Sequence, residues 1–171
     1  MFRPKPRLAV LAAAVVALAA PAASLEPDLR RVRVRSGENA TAVLMALQGA
    51  QRKLRDGSCQ QLLEDFRDAD GRLLRDNLQA FGMEPADYLT LLVIADGGER
   101  QRGALCRARG VAAVTVPKGR VVYVCGGAFR ELSLSHRENT LIHEMLHSLG
   151  LGENPPSARE INAQVWRRCG G

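Results

Sequence analysis

Apolar residues come in short runs cut by glycine, proline and aspartate. Their spacing switches from helical to strand-like and back along the chain. Ala40, Val43, Leu44, Leu47 and Leu54 recur at three- and four-residue steps, which predicts an amphipathic helix over 38–55, stopped by Asp56-Gly57. Residues 60–66 form a short apolar segment, and Asp70-Gly71 marks a turn. A second helix is expected over 73–81, with Gly82 at its C-terminal end. Pro85 suits the first position of a further helical turn. Tyr88 to Ala95 is then nearly all apolar and reads as a buried strand, with room for a short helix before it. Val111–Val116 and Arg120–Cys125 are rich in β-branched residues and flank Pro117-Lys118-Gly119, so they predict a β-hairpin.

The last third of the chain returns to helical spacing. Leu141, Ile142, Met145, Leu146 and Leu149 give residues 139–149 a buried side. Ile161, Val165 and Cys169 do the same for a final helix over 157–169, opened by an S-x-x-E capping box from Ser157 to Glu160. A small antiparallel or mixed sheet packed with helices follows, an α+β fold.

The N-terminus is set apart from this pattern. Arg3, Lys5 and Arg7 precede thirteen uncharged apolar residues (8–20) and the small-residue site Ala20-Pro21-Ala22, the layout of a secretory signal peptide over 1–22. Thirteen helical residues reach only about 20 Å of a bilayer core roughly 30 Å thick. Residues 23–171 then form one domain, with no membrane attachment expected after cleavage. Taking those three residues from the 24 basic ones leaves 21 against 18 acidic, so the formal charge falls from +6 to +3. Arg30, Arg31, Arg33 and Arg35 suggest a basic edge strand or an arm, within a stretch (23–36) that reads as extended. Aromatics make up only 4% of the chain, too few for a base-stacking platform, which argues against nucleic-acid binding.

Export implies an oxidising compartment, either the periplasm or the outside of the cell, and therefore disulfides between Cys59, Cys106, Cys125 and Cys169. Three pairings are open. We favour Cys106 with Cys125, which clips neighbouring segments, and Cys59 with Cys169, which ties the last helix to the N-terminal half. No C-x-x-C pair is present, so a cysteine zinc site is not expected.

The chemistry is concentrated in His143-Glu144-Met145-Leu146-His147. Histidines four apart on a helix project from one face, about 6 Å apart along the axis, and can share one metal ion. The adjacent Glu144 is placed to act as general base on a metal-bound water. Nitrogen and carboxylate ligands with hydrolytic chemistry point to one Zn2+ ion.

The run HEMLHSLGLGE resembles the metzincin-type zinc peptidases, whose frame is H-E-x-x-H-x-x-G-x-x-H. His143, Glu144, His147 and Gly150 match it. The wider stretch LIHEMLHSLGLGENPPSAREI is also similar to a group of bacterial secreted proteins labelled metallopeptidases. The resemblance covers about the last third of the chain. It implies a third ligand at Glu153, where the frame has histidine and some relatives have aspartate. It also implies a methionine turn downstream, but no methionine follows Met145. Glu160, thirteen residues after His147, is the thermolysin-type alternative for the third ligand. His136 lies seven residues before His143, too far along the helix to share an ion, and reads as a solvated residue. Tyr88 and Tyr123 are core residues or oxyanion donors, and Trp166 reads as a core or rim anchor before a substrate contact. Strand 120–125 is either a core strand or an edge that pairs with extended substrate. The expected activity is that of an exported zinc peptidase acting on peptides or proteins. A non-catalytic periplasmic metal-binding or structural protein is the alternative.

Overall fold

A computed structural model of the chain describes residues 31–98, 105–107 and 110–170. The signal-peptide reading, the domain boundary after residue 22 and Arg30 lie outside the described residues. The fold is α+β, a four-stranded mixed sheet packed with helices.

The chain enters through β1 (Val32–Arg33) and α1 (Gly37–Leu54). Four short helices follow: α2 (Gly57–Gln60), α3 (Leu62–Asp65), α4 (Leu74–Gln79) and α5 (Pro85–Thr90). Strand β2 (Val93–Asp96) leads to a 3-10 turn, Leu105–Arg107, and then to the hairpin β3 (Ala113–Thr115) and β4 (Val121–Val124). Helices α6 (Gly126–Glu131), α7 (Leu134–Ser148) and α8 (Ala158–Cys169) complete the chain.

The strand order is β1-β2-β4-β3. β1 and β4 both run parallel to β2, and β3 is antiparallel to β4, with Val114 opposite Tyr123. The expected hairpin is therefore present, but its second strand is interior and not an edge. β2 occupies the other flank of β4, a pairing between distant segments that local alternation does not report. The edge next to the helices is β3. At the opposite edge, Val32–Arg33 forms the basic edge strand, where Arg31 Nη1 donates to Leu91 O at 2.7 Å.

The apolar run 88–95 divides between two elements. Pro85 starts α5, which buries Tyr88 and Leu89, and the strand begins only at Val93. A fully buried run has no polar face to betray its period, so helix and strand look alike in sequence. α7 also starts earlier than its apolar spacing suggests. Ser133 caps it by accepting from His136 N, and its first turn is largely exposed.

α7 is the central helix. It packs on α1, α8 and β3. Leu141, Ile142, Met145 and Leu146 are wholly buried, together with Ala46 and Ala50 of α1, Ile161 and Val165 of α8, and Val122 of β4. Lys53 pins α1 to α7 with one ammonium group, 3.0 Å from Glu138 and 2.9 Å from Asn139 Oδ1. Two disulfides, Cys59–Cys169 and Cys106–Cys125, give the favoured pairing. They indicate an oxidising compartment. Among the described residues no helix is long and apolar enough to cross a membrane.

Candidate metal centre

With its apolar stripe turned to the core, α7 turns His143, Glu144 and His147 toward a cleft of about 580 Å³ between β3 and the α7–α8 pair. All three are buried, at 7%, 5% and 5% exposure. Histidine and glutamate are held at such burial only when paired or when their charge is suppressed.

One helical turn brings the two Nε2 atoms to 2.9 Å from each other. The hydrogen bonds on the far sides of the rings decide what this contact is. His147 Nδ1 is 2.8 Å from the carbonyl of Leu151, so it must carry the proton. His143 Nδ1 is 2.8 Å from Asn162 Oδ1, so it does likewise. In the neutral rings, both Nε2 atoms then present lone pairs to each other. Burial, with the charge of His147 adding to it and the Asn162 bond opposing, pushes the pKa of His143 down to about 4. His143 thus resists a second proton, and two converging lone pairs can be bridged by a cation.

Glu153 brings a carboxylate oxygen to 3.9 Å from His143 Nε2 and 3.8 Å from His147 Nε2. The three ligand atoms lie within 4.8 Å of one another. Two nitrogens bound tetrahedrally at zinc distances stand roughly 3.3 Å apart, so the donor set fits one ion with sub-ångström adjustment. His143, His147 and Glu153 thus form a group that can hold a metal ion.

Glu153 reaches this position through the turn after α7. Gly150 has φ +111, and Leu151 N returns to Leu146 O at 3.1 Å. Lys118 N, from the β3–β4 turn, donates to His147 O at 3.0 Å. Asn77 Nδ2 donates to Leu149 O and to Asp68 Oδ2, both at 2.9 Å. The C-terminal end of α7 is therefore clasped from two sides.

Glu144 does not join the ligand cluster. It sits against Thr115 of β3, its Oε2 makes no hydrogen bond among the described residues, and burial pushes its pKa up to about 7. Thr115 partly offsets that rise, while the charge of Glu153 adds to it. Neither the Thr115 hydroxyl nor Glu144 Oε2 makes a hydrogen bond of ordinary geometry. A buried carboxyl with an idle oxygen and a pKa near neutrality is suited to proton transfer.

Glu160 is the expected capping residue. Its Oε2 accepts from Ser157 N at 2.8 Å and Ser157 Oγ at 2.7 Å, and those bonds lower its pKa. His136 is exposed at the start of α7, against Trp166. Tyr88 is fully buried, with Ser148 Oγ donating to its hydroxyl at 3.3 Å, and is a core residue. Tyr123 lies on the interior strand β4 and does not line the cleft.

Asn162, the Leu151 carbonyl and Thr115 had no local signal. Asn162 follows the buried Ile161 and looks like an ordinary surface residue of α8. Only the docking of α8 on α7 puts it against His143. A scan of family models, a search of curated proteins and a search of solved structures each return no match.

Proposed function

We propose that this chain is an exported zinc-dependent hydrolase, a peptidase, with Glu144 as its general base. The observation that carries the reading is the pair of buried imidazoles whose Nε2 lone pairs converge at 2.9 Å beside Glu153. The frame from His143 to Glu153 and its resemblance to metzincin-type peptidases support it, as do the two disulfides for export.

His143, His147 and Glu153 would hold zinc, the metal best matched to two nitrogens and one carboxylate with a position left open. When bound, zinc supplies Lewis acidity toward a carbonyl and lowers the pKa of water. Glu144 takes the proton from the attacking water and delivers it to the departing amine. Burial raises the proton affinity of that carboxyl, pushing its pKa to about 7, and Thr115 partly offsets the rise. The Leu151 carbonyl and Asn162 hold both imidazoles with Nε2 unprotonated.

The substrate lies extended along β3. This is the sheet's edge strand, and the segment Gly110–Thr115 lines the cleft. Main-chain pairing there would bring a peptide bond across the mouth of the centre.

The decisive comparison is between the mature protein and Glu144→Gln, each loaded with zinc and offered a peptide library. Equal metal content with turnover lost by at least a thousandfold is the expected result. A variant as fast as the parent overturns the mechanism. Zinc uptake with no cleavage in the parent would leave a non-catalytic metal-binding protein.

A further inference from the structure

The cleft extends well beyond the three ligands. α7 and α8 form its floor, and seven residues of α7 separate His143 from His136, about 10 Å along the helix axis. At that far end the rings of His136 and Trp166 meet edge to face, with centroids 4.7 Å apart. Trp166 is 37% exposed, although it is the chain's single tryptophan and sits one turn beyond Asn162 on a helix whose other side is buried. Leu132 and Val111 line the same space.

We propose that Trp166 and His136 form a side-chain subsite for one large apolar or aromatic residue of the substrate. This deepens the peptidase reading and rests on it. An extended peptide advances about 3.3 Å per residue, so the recognised residue lies two to three positions from the scissile bond. Lys53 Nζ, paired with Glu138, already lies 5.9 Å from the centre of the Trp166 ring. An apolar ring covers the exposed indole and gains an edge-to-face contact.

The test uses the zinc-loaded mature protein and capped hexapeptides in which one Phe, Ala or Lys is moved through every position. Cleavage and Trp166 fluorescence are read together. The expected result is a preference of roughly ten- to a hundredfold in kcat/KM for Phe over Ala, at a position two or three residues from the cut. That ratio should fall toward one in Trp166→Ala and return in Trp166→Phe. In His136→Ala, which keeps the fluorophore, Phe peptides should perturb the emission only at higher concentration. Cleavage without an aromatic preference, or with one that survives in Trp166→Ala, overturns the subsite and leaves the peptidase reading intact. Saturable quenching by Phe peptides without cleavage, weakened in His136→Ala, supports the subsite and overturns the peptidase reading. Neither cleavage nor quenching overturns both.

Discussion

Asn162 on α8 holds the ring of His143 on α7, with 2.8 Å between Asn162 Oδ1 and His143 Nδ1. This bond fixes which nitrogen is free to face Glu153 and His147. It also makes the centre depend on how two helices pack. Asn162→Ala should lower zinc affinity about tenfold to a hundredfold, measured by competition with a chromogenic chelator. Asn162→Asp should recover most of that loss, because a carboxylate accepts the same proton and makes the imidazole more basic. Unchanged affinity in Asn162→Ala would show that His143 is positioned without this bond.

His143 and Glu144 oppose each other in the pH dependence of the metal-free protein. The pKa of His143 falls from 6.5 to about 4 on folding, so its stabilising contribution is present above pH 6.5 and is lost as pH falls toward 4. The pKa of Glu144 rises from 4.5 to about 7, so its contribution is present below pH 4.5 and is lost as pH rises toward 7. Each effect is on the order of 3 kcal/mol, and between pH 4.5 and 6.5 they nearly cancel. Chelator-treated protein should therefore show a flat urea midpoint across that range. Glu144→Gln should lose stability as pH falls, and His143→Leu should gain it. The same slope in both variants would contradict the assignment.

Gly150 stands where the chain leaves α7 for Glu153. At φ +111, a Cβ here would be strained and would approach Asp68 Cβ to 3.1 Å and Lys118 Cε to 3.2 Å. Gly150→Ala should cost about 1–3 kcal/mol in denaturant unfolding. It should also weaken zinc binding by displacing Glu153 and the Leu151 carbonyl. Loss of stability with zinc affinity intact would mean that the turn tolerates the shift.

The two disulfides differ in the length of chain they close. Cys59–Cys169 spans 110 residues and Cys106–Cys125 spans 19. Chain-entropy reasoning gives about 4.7 kcal/mol for a loop near the first length and about 3 kcal/mol for one near the second. Replacing Cys59 and Cys169 with alanine should therefore lower the midpoint more than replacing the other pair. It should also reduce zinc affinity, because α8 carries Asn162.

What the sequence determined by itself is local. A four-residue interval puts two histidines on one side of any helix, so His143 and His147 were readable as a pair before any tertiary contact was known. Capping chemistry likewise identified Ser157 and Glu160, but it left Glu160 open as a third ligand until the structure showed its carboxylate held by Ser157, with Glu153 beside the histidines. The helix of α1 and the β3–β4 hairpin also follow from short-range periodicity and turn residues. Only the tertiary structure decided that β3 is the edge and β4 is interior, because a parallel partner arrives from a segment some 30 residues away. It alone decided that Asn162 and the Leu151 carbonyl leave both Nε2 atoms as acceptors, and that Thr115 encloses Glu144. Those relations depend on how separately legible elements dock, and docking is governed by packing between residues far apart in the chain, which no local spacing encodes.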